Sequence, residues 1–153
     1  MRVALEDPRR QDVHALVDEL DAYQAALYPP QSNHGIDIDA LSQPEVLFAV
    51  ARDEAGAAVG CGAVVLGAGF GELKRMFVRP GRRGLGVGKS LLAFLEAEAA
   101  RRGCTHFMLE TGIRQPEALG LYERGGYVRR GPFGAYAEDP LSVFMHKPAN
   151  SAG

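Results

Sequence analysis

Three glycines at alternate positions, Gly84, Gly86 and Gly88, lie between an apolar run and a helical pattern. Glycine lets a ligand approach the backbone closely, and the first N–H groups of a helix have no partner within it, so a helix start of this kind binds anions. The stretch from residue 74 to residue 89 has no acidic residue and six basic ones: Lys74, Arg75, Arg79, Arg82, Arg83 and Lys89. A basic cluster in a slightly acidic chain suits a compact, phosphorylated ligand, although a solvent-exposed, arginine-rich turn is the alternative.

Two familiar glycine-rich nucleotide loops do not fit this stretch. A P-loop needs glycine five positions before Gly88, where this chain has Arg83, although Lys89 and Ser90 match the end of that motif. A dinucleotide-binding fingerprint needs glycine three positions after a Gly-x-Gly pair, and the two possible frames put Lys89 or Leu91 there. The glycines therefore predict a different phosphate-binding loop.

Length and composition restrict the class of protein. With 153 residues, of which 46% are hydrophobic and 24% charged, the chain is expected to form one globular domain. Its net charge of -2 argues against a nucleic-acid-binding protein. No apolar run approaches the ~20 residues that span a bilayer, and the first residues lack the apolar segment of a signal peptide. We therefore expect a cytoplasmic protein without nucleic-acid or membrane partners.

The two cysteines, Cys61 and Cys104, each lie beside a glycine in an apolar segment. In the expected intracellular setting both thiols should be reduced and buried, with a disulfide between them as the alternative. The sequence has no Cys-x-x-Cys pair, so no metal centre is predicted.

Periodicity and turn residues divide the chain into strands and helices. Asp7 followed by Pro8 predicts the start of a first helix, which Pro29 and Pro30 must end near Tyr28. The predicted strands are residues 1–5, 46–52, 57–66, 72–78, 106–110, 127–130 and 141–146, and the predicted later helices are residues 88–102 and 115–124.

The order of these elements predicts the fold class. Three hairpin-linked strands, followed by a strand reached through a helix, indicate an α/β (α+β) protein whose mixed, mostly antiparallel central sheet is flanked by helices. Residues 29–44, bounded by prolines and polar, could hold a short helix, but their composition favours a loop that covers or lines a site. A single domain is expected over residues 1–147, with a flexible C-terminal tail at residues 148–153.

The pattern Arg-x-x-Gly-x-Gly at residues 83–88 resembles the acetyl-CoA pyrophosphate loop of the GNAT superfamily of N-acetyltransferases. The predicted element order is the one that this family uses. A second resemblance, to the signature Ala-x-x-Leu-Tyr followed by Gly and an aromatic residue, is carried by Ala118, Leu121, Tyr122, Gly126 and Tyr127. Residues 29–34, 71–74, 109–112 and 132–145 are similar to those of a branch of small bacterial members.

The resemblance implies a GNAT fold that uses acetyl-CoA as cosubstrate and no metal. Backbone N–H groups from Leu85 to Lys89, with the Arg83 side chain nearby, would hold the pyrophosphate, and Met76 to Val78 would pair with the pantetheine arm like an added strand. Many family members carry Asn at the position of Gln115, which leaves the acceptor pose near that helix open. The residues expected to contact acetyl-CoA are Met76, Phe77, Val78, Arg83, Gly84, Leu85, Gly86, Val87, Gly88, Lys89, Ser90 and Gln115.

The resemblance also assigns two catalytic residues. Tyr122 is the expected general acid, which protonates the CoA thiolate, since a phenol is still protonated at neutral pH. Glu72 is six residues before Val78, the spacing at which the histone-acetylating branch carries its general base, and a carboxylate there would remove a proton from the ammonium form of the acceptor. The alternatives for Glu72 are a charge at a strand end or a partner for Lys74 or Arg75.

The expected activity is transfer of an acetyl group to a primary amine of a small molecule, directly and in a ternary complex. The alternatives are a protein lysine or N-terminal acetyltransferase and a non-catalytic acyl-CoA-binding domain, and a homodimer is left open. Strand alternation places Arg75, a candidate for holding an acceptor carboxylate, on the opposite face from Glu72. The candidates for the acceptor pocket are Tyr28, Ser32, His34, Arg75, Glu110, Thr111 and Tyr136.

Overall fold

The computed structural model describes residues 1–32 and 36–148, which include seven strands in one sheet of order β1-β2-β3-β4-β5-β7-β6. The strands are β1 Arg2–Leu5, β2 Val46–Arg52, β3 Ala58–Leu66, β4 Gly71–Val78, β5 His106–Gly112, β6 Val128–Arg130 and β7 Ser142–Pro148. The helices are α1 Gln11–Leu27, α2 Ile38–Leu41, α3 Val87–Arg101 and α4 Pro116–Arg124, with 3-10 turns at Pro30–Ser32 and Pro80–Arg82. The predicted fold class, a mixed and mostly antiparallel sheet flanked by helices, is confirmed.

Two helices cover opposite faces of the sheet. The apolar residues of α3 recur at helical spacing, and Leu91, Leu95 and Ala99 are buried in one core with Phe107 and Leu109 of β5. On the other face, α1 packs against β2 and β3 in a second core, to which it contributes Val13, Leu16, Val17 and Leu20. Both faces of the central strands are therefore buried, which explains their nearly continuous apolar sequences.

The pairing of β4 with β5 is parallel and short. It extends from Gly71 opposite Phe107 to Leu73 opposite Leu109, whereas β4 continues to Val78 and β5 to Gly112. Beyond Leu73 and Leu109 the two strands separate, and a gap opens in the middle of the sheet.

A β-bulge in β4 lies just past the point of separation. Cys61 of β3 pairs with Phe77 and Ala63 pairs with Lys74, so β4 has one residue more than β3 over this interval. Arg75 has a φ of 58°, in the left-handed region that non-glycine residues rarely adopt. A bulge bends its strand and interrupts the strict alternation of side chains, so the alternation used to place Arg75 opposite Glu72 does not hold through this segment.

The first helix begins later than predicted. Asp7 and Pro8 form a tight turn, in which the Asp7 side chain accepts a hydrogen bond from the Arg9 N–H at 2.9 Å, and α1 begins only at Gln11. Asp7 therefore stabilises this turn instead of the helix start. At the other end the prediction is confirmed, since α1 ends at Leu27 before the two prolines.

The C-terminal boundary also differs from the prediction. Pro148, assigned to the tail, is the last residue of β7 and lies opposite His106 of β5. The rest of the predicted tail, residues 149–153, is outside the described residues. Both cysteines are free thiols, and burial raises the pKa of the Cys61 thiol to about 12. Among the helices of the described residues, none has the length and apolar character needed to cross a membrane.

Candidate functional site

The glycine loop leads into the N-terminus of α3 with open space in front of it. Gly84 and Gly86 have φ values of 79° and 81°, and a side chain built at either would meet no atom within 4 Å. Backbone conformation therefore requires these two glycines, and packing does not. The N–H groups of Val87, Gly88 and Lys89 precede the first bond of the helix, from Ser90 N–H to the Gly86 carbonyl. They are available to an anion that enters from solvent.

Gly88 is required for a different reason. A Cβ atom at this position would lie 3.1 Å from Cδ2 of Leu121, because α3 approaches α4 closely here. The two signatures recognised in the sequence therefore meet in space, the glycine loop through Gly88 and the second through Leu121. This contact fixes the distance between the anion site and the helix that carries Tyr122.

The Arg83 side chain joins the glycine loop to the strand before it. Its Nε donates to the Val78 carbonyl at 3.0 Å, and its guanidinium carbon lies 5.0 Å from the centre of the Tyr23 ring. Arg82 is paired with Asp53 at the edge of the sheet. The expected contact of the Arg83 side chain with pyrophosphate stays a prediction.

The backbone of β4 is open on the side that faces β5. The N–H of Arg79 bonds to the Val59 carbonyl of β3, so by strand alternation the backbone groups of Met76 and Val78 are directed away from β3, into the gap. The backbone of Phe77 is directed toward β3, and its ring is buried beside Tyr23 of α1. Of these three predicted pantetheine contacts, Met76 and Val78 offer their backbone to the gap and Phe77 does not.

A cleft opens where β4 and β5 separate, and most of the predicted catalytic and acceptor residues line it. The predicted residues in its lining are Ser32, Glu72, Arg75, Met76, Glu110, Thr111, Gln115, Tyr122 and Tyr136. Residues that line it without having been predicted include Leu20 and Gln24 of α1, together with Lys74 and Ala118. For Lys74 a signal was present in the sequence, since it is two residues from Glu72 on the same strand.

Tyr122 reaches the cleft from α4. Its side chain is 5% exposed, and its ring packs edge-on against Tyr127 with the centroids 5.8 Å apart. Burial, and secondarily the negative charge of Glu110, raises the pKa of the Tyr122 phenol above its ordinary value. Among the described residues its hydroxyl has no hydrogen-bond partner. The phenol is therefore neutral and able to donate a proton into the cleft.

Glu72 is held by two neighbours. The Tyr136 hydroxyl donates to its carboxylate, and Nζ of Lys74 lies 3.3 Å from Oε2 of Glu72. Nζ of Lys74 also donates to the Tyr136 hydroxyl at 2.7 Å, so the hydroxyl proton is directed to Glu72. Burial, with the bond to Glu72 as the next cause, raises the pKa of Tyr136. Glu72 is therefore a partner of Lys74, which was one of the alternatives to its role as a base, and its carboxylate also lines the cleft.

The remaining acceptor candidates have internal partners. Ser32 donates to Asp139 at 2.6 Å, and Glu110 accepts from the Ser142 hydroxyl at 2.6 Å. The guanidinium of Arg75 binds Asp21 at 2.7 Å and the Ile36 carbonyl at 2.9 Å. Thr111 is 8% exposed at the end of β5. The roles of these residues toward an acceptor stay predictions.

Tyr28, an acceptor candidate, is not in the lining of the cleft but lies beside it, where its hydroxyl donates to Oε1 of Gln115 at 3.1 Å. His34 is outside the described residues. Within residues 1–32 and 36–148, no group of three or more His, Cys, Asp or Glu side chains is placed to hold a metal ion. Chemistry without a metal stays a prediction.

Comparisons with known sequences agree with this geometry. The sequence profile described as the Acetyltransferase (GNAT) family matches residues 13–127. A protein from Azospirillum brasilense named IAA acetyltransferase is 46% identical over 148 residues, which cover 95% of this chain and 96% of that protein. YsnE from Bacillus subtilis, named an uncharacterized N-acetyltransferase, is 35% identical over 150 residues, covering 96% of this chain and 99% of that protein.

Solved structures show the same fold. The crystal structure of a Klebsiella pneumoniae protein, described as an acyl-CoA N-acyltransferase, matches with a TM-score of 0.83 and 42% identity over 97% of each chain. An aminoglycoside 6'-N-acetyltransferase in complex with coenzyme A matches with a TM-score of 0.77 over 100% of this chain and 99% of that one, and at 21% identity it shows the fold alone. By its family profile and its relatives, this chain belongs to the GNAT family of acetyltransferases and is an acetyl-CoA-dependent acyltransferase.

Proposed function

We propose that this enzyme transfers the acetyl group of acetyl-CoA directly to a primary amine of a small molecule, within a ternary complex. One observation carries the proposal: Glu72 and Tyr122 line the same cleft, at the point where β4 and β5 separate. A proton acceptor and a proton donor at one reaction centre are what amine acetylation by direct transfer requires.

The residues present suit acetyl-CoA. The N–H groups of Val87, Gly88 and Lys89 at the start of α3 provide donors for the pyrophosphate, and the left-handed Gly84 and Gly86 keep the approach open. The backbone groups of Met76 and the N–H of Val78 can pair with the amides of the pantetheine arm, as an additional strand would, whereas the Val78 carbonyl already accepts from Arg83. An extended arm that follows β4 from α3 toward Leu73 enters the cleft, which brings its thioester toward Tyr122.

Proton transfers accompany each stage of the reaction. Glu72 takes a proton from the acceptor ammonium, directly or through water, and the free amine attacks the thioester carbonyl. As the carbon–sulfur bond breaks, the Tyr122 hydroxyl protonates the leaving thiolate. The second proton that the nitrogen loses as the amide forms restores the Tyr122 phenol, and Glu72 releases its proton to solvent. The hydrogen bond from Tyr136 and the ammonium group of Lys74 hold the Glu72 carboxylate in position in the cleft.

The walls of the cleft favour a small acceptor over a protein. Ser32 of the turn Pro30–Ser32 lines the cleft and is joined to the segment before β7 by its hydrogen bond to Asp139. Glu72, Tyr136 and Glu110, all partly buried, line the same cleft. A small amine reaches a partly buried carboxylate more easily than a lysine on a folded protein surface does.

A thiol-release screen tests the proposed acceptor class. Acetyl-CoA and the enzyme are mixed with one candidate acceptor at a time, and free CoA is measured. The candidates are small amines, amino acids, the compound IAA in the name of the Azospirillum brasilense relative, and peptides that offer a lysine or an N-terminus. We expect at least one small amine to release CoA well above the rate with water alone. Release that occurs only with peptides would contradict the proposal.

Gly86→Glu should abolish or strongly weaken binding of acetyl-CoA. The substitution puts a carboxylate where the pyrophosphate is expected, and like charges ~4 Å apart repel by about 1–4 kcal/mol near a protein surface, enough for about a tenfold loss of affinity or more. Titration calorimetry measures the Kd for acetyl-CoA. The matched control is Gly103→Glu, because Gly103 has a φ of 90° and open space around it at the other end of α3. If both substitutions weakened the binding of acetyl-CoA equally, the result would contradict the prediction that the glycine loop binds it.

Tyr122→Phe should lower kcat by about 100-fold or more, since general acid catalysis of this kind contributes that amount. The Kd for acetyl-CoA should stay nearly unchanged, because only the hydroxyl is lost. Steady-state kinetics and calorimetry separate the two quantities. Tyr127→Phe is the control, because it removes a buried hydroxyl that bonds to Glu96 on the far side of the Tyr122 ring. An unaltered kcat in Tyr122→Phe would rule out this residue as the acid.

Glu72→Gln should shift the pH–rate profile for an amine acceptor toward alkaline pH. Without the carboxylate, only the fraction of acceptor that has already lost its proton in solution can react, and this fraction grows as pH rises. The rate at neutral pH should therefore fall more than the rate near the pKa of the amine. A profile that coincides with that of the wild type would count against Glu72 as the base.

A further inference from the structure

Tyr28 lies at the junction between α1 and the turn that starts α4. It follows the last residue of α1, its side chain is 5% exposed, and its hydroxyl lies 3.1 Å from both the Arg114 backbone nitrogen and Oε1 of Gln115. A Cβ atom at position 112 would lie 1.7 Å from this hydroxyl, so the ring can occupy its place only because residue 112 is glycine. Tyr28, Gly112 and Gln115 therefore form one fitted contact across 87 residues of chain.

The chemistry of this contact fixes the orientation of the Gln115 amide. The Arg114 N–H can only donate, so the Tyr28 oxygen accepts there, and its single proton is left for Gln115. If Nε2 faced Tyr28, the phenol proton would have no acceptor among the described residues, whereas Oε1 in that place accepts it. The arrangement that satisfies both groups therefore puts the carbonyl oxygen Oε1 against Tyr28. The two N–H groups on Nε2 then point away from Tyr28. Gln115 lines the cleft, and among the described residues Nε2 has no acceptor.

We propose that Tyr28 is a positioning residue: it holds the Gln115 amide with its N–H groups toward the cleft, where Gln115 donates a hydrogen bond to a carbonyl oxygen of bound acetyl-CoA. The proposal rests on the proposed function, since the ligand is the cosubstrate. It gives Tyr28 a role that differs from the direct contact with the acceptor expected from the sequence. The partner is a carbonyl because an N–H donor needs an acceptor atom, and the part of acetyl-CoA proposed to enter this cleft along Met76 carries its acceptors as the carbonyl oxygens of its amides and thioester.

The surroundings of Tyr28 make its hydroxyl removable without loss of the fold. The Arg114 guanidinium donates to the Leu27 carbonyl at the C-terminus of α1 and lies 5.9 Å from the centre of the Tyr28 ring. Tyr28→Phe keeps the ring, its fit against Gly112 and both contacts of the Arg114 side chain. It removes the two hydrogen bonds of the hydroxyl, and the Gln115 amide becomes free to rotate.

A double-mutant cycle measured by calorimetry with acetyl-CoA tests the proposal. In the wild-type background, Tyr28→Phe should weaken binding by about threefold to tenfold, the loss of one hydrogen bond. Gln115→Glu puts oxygen atoms on both sides of the group and should weaken binding at least as much. A carboxylate has two equivalent oxygens, so its orientation is irrelevant, and adding Tyr28→Phe to Gln115→Glu should cause no further loss.

Two results would overturn the proposal. Equal losses from Tyr28→Phe in both backgrounds would mean that Tyr28 acts only through the turn and not through the amide, and unchanged affinity in Gln115→Glu would mean that no donor is needed. If circular dichroism shows that Tyr28→Phe does not fold, Gln115→Met replaces it. This variant has no hydrogen-bond donor at position 115, so its affinity for acetyl-CoA should fall about threefold to tenfold. Wild-type affinity in Gln115→Met would overturn the proposal. Binding and thiol release by the wild-type enzyme report separately on the proposed function.

Discussion

The separation of β4 from β5 is the constraint on which the site depends. The two strands pair through Leu73 and Leu109 and then part, so the gap exposes backbone donors and acceptors in the middle of a sheet that is otherwise hydrogen-bonded. A buried, unpaired strand edge is costly unless a ligand or water satisfies it. The bulge at Arg75 bends β4 at this point, and the ion pair of Arg75 with Asp21 of α1 holds the bulge in place.

The two catalytic candidates have contrasting surroundings in the cleft. Tyr122 is surrounded by apolar groups and by the negative charge of Glu110, both of which favour its neutral form. Glu72 instead accepts a hydrogen bond from Tyr136 and lies beside the ammonium group of Lys74. A phenol in an apolar environment beside a carboxylate with polar partners is the contrast that the proposed division into proton donor and proton acceptor requires.

Local signals predicted most of the fold. Prolines at 29 and 30 and glycine at 103 ended helices where expected, and apolar runs marked the strands. The failures have physical causes. Asp7 and Pro8 suit a turn as well as a helix start. The bulge in β4 shifts the alternation of side chains, but a strand covered on both faces has no clear alternation in its sequence from which the shift could be recognised. The contacts of Tyr28 with Gln115 and of Glu72 with Tyr136 join residues 87 and 64 positions apart, which only the folded chain brings together.

The position of Tyr122 depends both on a contact between the two signatures and on a residue far from either of them. Tyr122 is carried by α4, and α4 is located at one end by the close approach of Gly88 to Leu121 and at the other by Tyr28 against the turn at Arg114. Each contact joins backbone to a side chain, Gly88 to Leu121 and the Arg114 N–H to the Tyr28 hydroxyl, and a glycine, Gly88 or Gly112, makes room for that side chain. A helix held at both ends keeps its tyrosine at a fixed distance from β4. The precision of the site therefore comes from α1 and α3, which contribute neither the acid nor the base.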